Sequence, residues 1–360
     1  MNVLLMVPSN DNAGPVNVVK YLTEVSNSGD INYTVLCLRK KSDFIFPNCK
    51  TVFIPDNISL FFKIFWILSF LKSNDFNVCH SHGFFPDLYS LTSKVINYGS
   101  LKSISTVHNY PDLDYSMEYG RLSGAILCRL HFFILKRLDL VIACSRSVSE
   151  NLHRFSIKSK VVRNGVYIST TQNVQYPQSN AKLNDCHHVD MRKNLLFLGR
   201  LIKRKNFADV AKVFINADDE FHEKFKLTVC GDGPELEYYS SKFKDYPNVS
   251  FLGHVDDPSD ILFDSDLLIS TSIAEGFPLS VLEAIQAGKK ALLSDIKPHL
   301  ELKEYLGPVI QCYRLGDSKD LYDKIMNEES CQVINASRAI YLASATRMLS
   351  EYEEFYRELL

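Results

Sequence analysis

Two acidic side chains, Glu275 and Glu283, flank a Gly-Phe-Pro turn in the stretch "STSIAEGFPLSVLEAIQAG". Pro278 is typical of the first turn of a helix and Gly288 of the position after its end. At about 1.5 Å per residue, Glu283 would lie roughly 7 to 8 Å along that helix. Unpaired N–H groups at a helix start attract phosphate, so an elongated anionic ligand such as a nucleotide sugar could meet one acid at each end. A capped helix with a surface glutamate explains this stretch equally well.

A second stretch, "FLGRLIKRKN", places Arg200 and Lys205 in the loop after an apolar strand. The carboxyl ends of such strands are where α/β sheets bind ligands, and two cations there could neutralise a diphosphate leaving group. Arg200 would supply forked hydrogen bonds and Lys205 a point charge. Because Lys203 and Arg204 lie in the same loop, a solvated basic loop is the alternative.

The stretch "LTVCGDGPELE" places Gly231 and Gly233 after another apolar run, where glycine permits a tight turn and close backbone approach. Leu236 stands where a G-x-G-x-x-G fingerprint has its third glycine. The pattern therefore disfavours an NAD-dependent dehydrogenase.

Strand-like apolar runs alternate with helical patterns along the whole chain, which predicts parallel sheets covered by helices, an α/β fold. A chain of 360 residues exceeds one ordinary core, and residues 169–190 have the polar composition of a linker. We therefore expect two domains with a ligand cleft between them. The ten predicted strands are NVLLMV, NYTVLCL, NVCHSHG, KSISTVHN, LDLVIACS, KNLLFLGR, FKLTVCGDG, NVSFLGHV, DLLISTS and KKALLSD.

Charge is unevenly distributed along the chain. Residues 1–180 carry 18 Lys and Arg against 12 Asp and Glu, whereas the remainder carries 22 against 30. A basic first half favours an anionic membrane surface or a phosphorylated substrate, and uneven solvated surface is the alternative. The run 59–72 ("SLFFKIFWILSFLK") is too short to span a bilayer. It could dock on the inner leaflet, or it could be a helix of the first domain's core.

The cysteines and the N-terminus bear on the compartment. Nine cysteines include no Cys-x-x-Cys pair, and the start "MNVLLMVPSN" lacks a basic region. Both features indicate a cytoplasmic protein, to which the run 59–72 would add contact with the inner face of the membrane.

Together these motifs resemble the retaining family 4 glycosyltransferases (glycosyl transferases group 1), which have the GT-B fold. The donor half is carried by Arg200, Lys205, "GDGP", "FLGHV" and the Glu275-x7-Glu283 element, in that order. The first half contributes "NAGPVNVVKYL", "CHSHGFFPDL", "STVHN", "ACSRSVSENL" and "VVRNGV". The resemblance implies two Rossmann-like domains facing a cleft. It also implies an acceptor-side domain at 1–170, a linker at 171–190, a nucleotide-sugar domain at 191–342 and a returning C-terminal helix at 343–360.

The resemblance also implies roles for individual residues. The diphosphate would be held by Arg200 and Lys205, and the ribose hydroxyls by Glu283. The remaining expected positions are Glu275, Gly276 and Phe277 at the sugar, Val255 at the base, Gly231 in the donor loops, His108 at the sugar from the N-terminal domain, and Gly14 at phosphate or acceptor. His82, at another strand end, is a weaker candidate than His108.

Two departures from the family pattern concern loop shape. Ala13 precedes Gly14 where the family often has a glycine pair, and Asn206 follows Lys205 where a glycine is frequent. The first departure bears on how closely a ligand can approach the backbone of the N-terminal loop. The second bears on the shape of the cationic loop more than on its charge.

Metal-independent catalysis is expected, with no cofactor beyond the nucleotide-sugar co-substrate. Asp112-Leu113-Asp114 follows "HNYP" in a predicted loop, and Asp264-Ser265-Asp266 precedes its apolar strand, so neither is placed like a metal–diphosphate motif. The "CHH" at 186–188 lies in the linker without partner ligands.

The expected activity is transfer, with retention, of a hexose or N-acetylhexosamine to a hydroxyl of a glycan or lipid-linked acceptor in bacterial surface polysaccharide synthesis. UDP is the expected nucleotide from its frequency in the family, and no nucleic-acid partner is expected. The alternatives are a non-hydrolysing nucleotide-sugar epimerase of GT-B fold and a catalytically silent scaffold of a polysaccharide-assembly complex.

Overall fold

The computed structural model describes residues 1–26, 29–56, 58–96, 101–168, 191–327 and 336–360. The predicted linker at 171–190 and its "CHH" lie outside these residues. The described chain forms two compact units. The first comprises Met1–Val166, Glu275–Leu279 and Tyr341–Leu360, and the second comprises the intervening segments. Glu275–Leu279, which the resemblance grouped with the nucleotide-sugar domain, lies in the first unit.

A seven-stranded, fully parallel sheet forms the centre of the first unit, in the order β3-β2-β1-β4-β5-β6-β7. Its central strands are continuous apolar runs because helices cover both faces. The strands are β1 Asn2–Val7, β2 Asn32–Cys37, β3 Lys50–Phe53, β4 Val78–Ser81, β5 Lys102–Val107, β6 Leu140–Ala143 and β7 Lys160–Val161.

The helices of the first unit include the C-terminal one, whose inner side is buried at Met348, Tyr352 and Tyr356 in the same core as β1 and α1. They are α1 Gly14–Val25, α2 Leu60–Lys72, α3 Phe84–Ile96, α4 Pro111–Tyr119, α5 Arg121–Leu135, α6 Arg146–Arg154 and α15 Ala345–Leu359. The first of the two Asp-x-Asp sequences is therefore helical: Asp112 and Asp114 lie in the first turn of α4, and the loop prediction for them was wrong.

A six-stranded parallel sheet in the order β10-β9-β8-β11-β12-β13 forms the centre of the second unit. The strands are β8 Lys193–Leu198, β9 Phe225–Cys230, β10 Val249–Gly253, β11 Leu267–Ser270, β12 Lys290–Ser294 and β13 Ile310–Tyr313. Lys203–Lys205 and Gly307–Val309 are 3-10 turns. The helices are α7 Phe207–Asn216, α8 Asp219–Lys224, α9 Leu236–Lys242, α10 Ser259–Asp264, α11 Leu279–Gln286, α12 Lys297–Leu306, α13 Ser318–Met326 and α14 Ala336–Leu342.

The α/β prediction of two parallel-sheet, Rossmann-like domains is confirmed, and all ten predicted strands are present. In a parallel sheet the carboxyl ends of all strands meet at one edge, so loops distant in sequence are brought together there. That edge of each sheet carries the residues singled out by sequence.

Candidate active site

The loops after β8 and β9 interlock at the carboxyl edge of the second sheet. The Gly199 N–H donates to the Cys230 carbonyl (2.9 Å) and the Leu201 N–H to the Asp232 carbonyl (2.6 Å). Gly231 has φ +145°, and a β-carbon there would overlap the carbonyl oxygen of Gly199. Glycine at 231 is therefore required by the protein's own backbone, which holds the loop bearing Arg200 in place.

Lys205 closes the 3-10 turn Lys203–Lys205, and its aliphatic chain folds back over Gly199. The amine lies 3.8 Å from the position of a β-carbon at Gly199, so the cation is held beside the backbone next to Arg200. Arg200 itself is exposed. Both cationic residues predicted from sequence thus lie in the loop that follows β8.

The cationic turn is fastened to the end of β11 from the other side. The Thr271 hydroxyl donates to the carbonyls of Lys205 (3.0 Å) and Asn206 (2.8 Å). The Ile273 N–H donates to the carbonyl of Arg204 (2.9 Å). Asn206 has φ 51° and ψ 49°, a left-handed conformation that asparagine tolerates better than most residues. The family's glycine is therefore replaced without losing the turn.

Glu283 lies four residues after the start of α11, about 6 Å along the helix axis, and is buried. Burial, and secondarily the charge of Glu283, raises the pKa of the Cys230 thiol, which places this carboxylate near the end of β9. Gly288, with φ +76°, donates its N–H to the Ile285 carbonyl and ends the helix as predicted. Val255, half-buried, follows β10 at the same edge.

The turn that carries Glu275, Gly276 and Phe277 packs within the first unit. A β-carbon at Gly276 would overlap the carbonyl oxygen of His108 and would lie 3.1 Å from Sγ of Cys144. The Asn164 amide donates to the Phe277 carbonyl at 2.9 Å. Glu275 and Phe277 are both buried. The turn therefore packs against His108. The sequence placed both at the sugar only through the family resemblance.

His108, which is half-buried, follows β5 and pairs with a buried imidazole. Its Nε2 lies 2.8 Å from Nδ1 of His82, which follows β4. Burial lowers the pKa of His108 to about 3, and burial together with the neighbouring imidazoles holds the pKa of His82 well below its ordinary value. Both rings are therefore neutral near pH 7, with one donating and the other accepting the shared hydrogen bond.

A third histidine, His80, was not singled out by the sequence. Its Nδ1 lies 2.6 Å from the Tyr356 hydroxyl and its Nε2 2.8 Å from the Thr106 hydroxyl, which also contacts the Tyr352 hydroxyl at 3.1 Å. The sequence "HSH" could have indicated that His80 lies beside His82, because residues two apart on a strand share a face. The partners on α15 lie over 270 positions away and could not be read from that spacing.

Gly14 is the first residue of α1, and a β-carbon there would meet no atom within 4 Å. The two aspartates of α4 have local partners, since Asp112 accepts from Asn151 (3.2 Å) and Asp114 from Asn109 (3.1 Å). Across the described ranges, no three His, Cys, Asp or Glu side chains are grouped closely enough to hold a metal ion.

Comparison with known proteins gives the same assignment for both halves. The family described as "Glycosyltransferase Family 4" matches residues 14–170, and "Glycosyl transferases group 1" matches residues 181–335. The chain is 24% identical over 378 residues to the O-antigen biosynthesis glycosyltransferase WclY of Escherichia coli, covering 100% of this chain and 99% of WclY. It is 24% identical over 318 residues to WbnH of Escherichia coli, also an O-antigen biosynthesis glycosyltransferase, covering 88% and 84%.

Among solved structures, HepE of Anabaena in complex with UDP-glucose superposes with a TM-score of 0.75 at 15% identity, covering 99% of this chain and 100% of HepE. This likeness concerns the fold. With the two family matches spanning both halves and the cationic loop in place at the end of β8, the chain belongs to the group 1 and family 4 glycosyltransferases of GT-B fold.

Proposed function

We propose that this glycosyltransferase moves a hexose or N-acetylhexosamine from a UDP-linked donor, with retained anomeric configuration, to a hydroxyl of a glycan or lipid-linked acceptor. The observation that carries the proposal is the cation pair at the end of β8. Lys205 is folded over Gly199 beside Arg200, and the buried Glu283 lies near Cys230 at the same sheet edge. Two positive charges and one buried acid within one unit match a nucleoside diphosphate, which offers anionic oxygens and ribose hydroxyls.

Departure of the nucleoside diphosphate adds negative charge to its terminal phosphate. Stabilising that charge would be the protein's main contribution to catalysis. Arg200 would hold phosphate oxygens with a fork of N–H donors, and Lys205 would supply a point charge. Because the interlocked loops and the Thr271 hydrogen bonds hold the turn before the donor binds, little reorganisation would be needed during the reaction.

UDP is favoured as the nucleotide because the structurally similar HepE is described in complex with UDP and with UDP-glucose. In this chain Glu283 would accept hydrogen bonds from the ribose hydroxyls, and the backbone near Val255 would border the base. Gly231 would serve by holding the loop bearing Arg200.

On the first unit, His108, Glu275 and the Gly276-Phe277 backbone would face the transferred sugar. Since the pKa of His108 is lowered to about 3 by burial, its ring acts there as a neutral hydrogen-bonding group. Glu275 would position the sugar and stabilise developing positive charge at its anomeric carbon. A covalent glycosyl–enzyme intermediate on Glu275 is not part of the proposal, so the paired-carboxylate scheme of glycoside hydrolases does not apply.

A surface polysaccharide is the proposed destination of the sugar, because WclY and WbnH are named for O-antigen biosynthesis. Catalysis without a metal is also proposed, since the Asp-x-Asp pairs have structural partners: Asp112 with Asn151, and Asp266 with the backbone N–H of Asn194 at 2.6 Å. Full turnover in excess EDTA is the expected result. Loss of turnover in EDTA that manganese restores would contradict it.

The test is a screen of UDP-, GDP- and dTDP-linked sugars, each carrying a labelled sugar, with purified lipid-linked glycans as acceptors. We expect label to move from one UDP-sugar to an acceptor, and NMR coupling constants of the product to report the donor's anomeric configuration. Conversion of the donor to its 2-epimer without acceptor would favour an epimerase. Absence of both turnover and calorimetric binding across the panel would favour a silent scaffold.

A further inference from the structure

The stretch "VVRNGV", which carries part of the family resemblance, has no role in the proposed function. It begins at the end of β7 and contains Asn164, which is 3% exposed. The side-chain amide of Asn164 donates to the Phe277 carbonyl at 2.9 Å, although the two residues are 113 positions apart. This bond joins a buried polar side chain to the turn Glu275-Gly276-Phe277, which is proposed to face the transferred sugar.

The Phe277 carbonyl requires a hydrogen-bond donor from another segment. Phe277 is buried, and its carbonyl precedes α11, which begins at Leu279. Buried carbonyls outside regular structure are normally paired, because an unpaired one costs free energy. A carbonyl oxygen can only accept, so Asn164 must present its NH₂ group, and not its oxygen, to Phe277. The chemistry of the contact therefore fixes which end of the amide faces the turn.

The backbone of Asn164 is held by the start of the C-terminal helix. Its carbonyl accepts from Nη2 of Arg347 at 2.9 Å, and the preceding carbonyl, of Arg163, accepts from Nη1 at 2.8 Å. A β-carbon at Gly165 would overlap the carbonyl oxygen of Ser344, the residue before α15, so the two backbones are in close contact there. The amide of Asn164 therefore extends from a segment that is itself fixed in the first unit.

The oxygen of the Asn164 side chain lacks a comparable contact. Oδ1 is buried and accepts no hydrogen bond from any residue that the structure describes. A buried acceptor without a donor is unfavourable, and a smaller side chain would avoid it. Asparagine at this position therefore makes one unfavourable and one favourable contact, and the favourable one is the bond to the turn.

The contacts at Gly276 and at Phe277 restrict the turn in different ways. At Gly276 the carbonyl oxygen of His108 and Sγ of Cys144 lie so close that a β-carbon would not fit, which limits how the turn can approach. Such a steric contact does not fix the rotation of a peptide plane. The hydrogen bond from Asn164 is directional, so it supplies the restraint that packing alone leaves out.

We propose that Asn164 is a positioning residue for the sugar. Through the Phe277 carbonyl it fixes the orientation in which the turn presents its backbone and Glu275 to the transferred group. The identity of that group rests on the proposed function. The UDP part of the donor is assigned to the two cations and the buried acid of the second unit. Loss of the Asn164 bond should therefore impair placement of the sugar and leave the affinity for UDP unchanged.

Amide hydrogen exchange in the free protein tests the role of Asn164 without any ligand. N164A removes the donor, and N164D keeps the shape of the side chain but presents an oxygen to the Phe277 carbonyl. In both variants the amides of residues 275–277 should exchange about tenfold faster than in the wild type, or more, because the turn opens more often. Unchanged exchange at these residues in N164D, which leaves no cavity, would overturn the proposal.

The matched control is N248D in the second unit. Asn248 is also buried and donates its amide to the Phe225 carbonyl at 3.0 Å. Phe225 begins β9, so this bond lies at the opposite end of that strand from Cys230. N248D breaks the same kind of bond and should lower the melting temperature, but exchange at residues 275–277 should match the wild type. Exchange there as fast as in N164D would mean that lost stability alone loosens the turn, which would also overturn the proposal.

Turnover and UDP affinity separate a positioning role from a general loss of stability. With the UDP-sugar that the screen identifies, kcat of N164A and N164D should fall roughly thirtyfold after correction for the folded fraction, because misplacing a positioned group is costly. The calorimetric Kd for UDP should stay within about twofold of wild type, and N248D should keep kcat within about threefold.

The kinetic result overturns the proposal if UDP affinity falls as much as kcat, or if N164D turns over like the wild type. A wild type that transfers no sugar would contradict the proposed function instead. Hydrogen exchange would still decide whether Asn164 holds the turn, so the two failures are distinguishable.

Discussion

Nδ1 of His82, a fully buried residue, lies 2.8 Å from Nε2 of His108, which is half-buried. The other nitrogen of each ring, Nε2 of His82 and Nδ1 of His108, has no protein hydrogen-bond partner among the described residues. The ring centroids of His80 and His82 are 4.4 Å apart, and His80 contacts the Tyr356 hydroxyl of α15. The C-terminal helix therefore supports the imidazole that is the candidate sugar contact.

Removing the His82 imidazole should reduce turnover through loss of His108 orientation. We expect kcat of H82A to fall about tenfold, because a modest displacement of a positioned group is costly. H82N should stay within about threefold of wild type, since the asparagine amide can replace the Nδ1 contact. Equal losses in the two variants, after correction for the folded fraction, would argue against a positioning role.

Acid should destabilise the protein through its buried histidines. The unfolded state takes up protons near pH 6.5, whereas His80 and His108 have a pKa of about 3 when folded because burial disfavours their charged forms. Their contribution to the free energy of unfolding is complete above pH 6.5 and is lost progressively as the pH falls toward 3. Each site steepens the fall of the unfolding free energy by about 1.4 kcal/mol per pH unit.

Urea denaturation of wild type and H108N at pH 7, 6, 5 and 4 measures this effect. In H108N the slope of the unfolding free energy against pH should be shallower by the contribution of one site. H254Q, which changes an exposed histidine, should match wild type. Parallel slopes for wild type and H108N would show that the ring at 108 takes up its proton in the folded state.

Loss of the Lys205 amine should reduce turnover far more than loss of a neighbouring cation. We expect K205A to lower kcat about a hundredfold, the effect of removing one donor to a developing anion. K203A changes an exposed lysine in the same 3-10 turn and should keep kcat within about threefold. Steady-state kinetics with the identified donor provide the comparison. Unchanged kinetics in K205A would remove the leaving-group argument.

Alanine substitutions at Gly14 and Gly276 should distinguish a glycine needed for ligand approach from one needed for internal packing. G14A should leave the melting temperature unchanged or slightly raised, because nothing lies within 4 Å of the new carbon and alanine favours helix. Reduced affinity for donor or acceptor in G14A would therefore report ligand approach. G276A should be destabilised, since its new carbon overlaps the His108 carbonyl oxygen. Calorimetric melting separates the two, and a G276A as stable as wild type would contradict the packing.

Arg347 should be essential for attaching α15. Its guanidinium donates to the carbonyls of Leu342 (3.2 Å), Arg163 (2.8 Å) and Asn164 (2.9 Å), and it is buried. R347A leaves buried carbonyls unpaired and should lower the free energy of unfolding by about 3 kcal/mol.

The matched control is R357A, which removes an exposed arginine of the same helix and should change stability by less than about 0.5 kcal/mol. Denaturant unfolding compares the variants. Similar losses in R347A and R357A would mean that the buried carbonyls find other partners.

The strands that the sequence pattern predicted differ from those it missed in their position within the sheets. The ten recovered strands include every interior strand of the two sheets, whose apolar runs are required because helices cover both faces. The three missed strands, β3, β7 and β13, lie at sheet edges. An edge strand pairs on one side only and needs no continuous apolar run. At β3 and β7 the pattern is half-buried or exposed, and the local sequence carries little signal.

For the site, residue type and spacing determined which side chains are suited to a diphosphate and a sugar, because charge and glycine placement are local properties. The carboxyl-edge rule for parallel sheets then predicts that Arg200 and Lys205 lie where ligands bind, and only the family resemblance joins Glu283 to them. Only the tertiary structure decided that Gly276 packs on the His108 carbonyl and that His82 holds the His108 ring. Such contacts join segments tens to hundreds of residues apart. They depend on how elements pack, and one chain's spacing does not encode that packing.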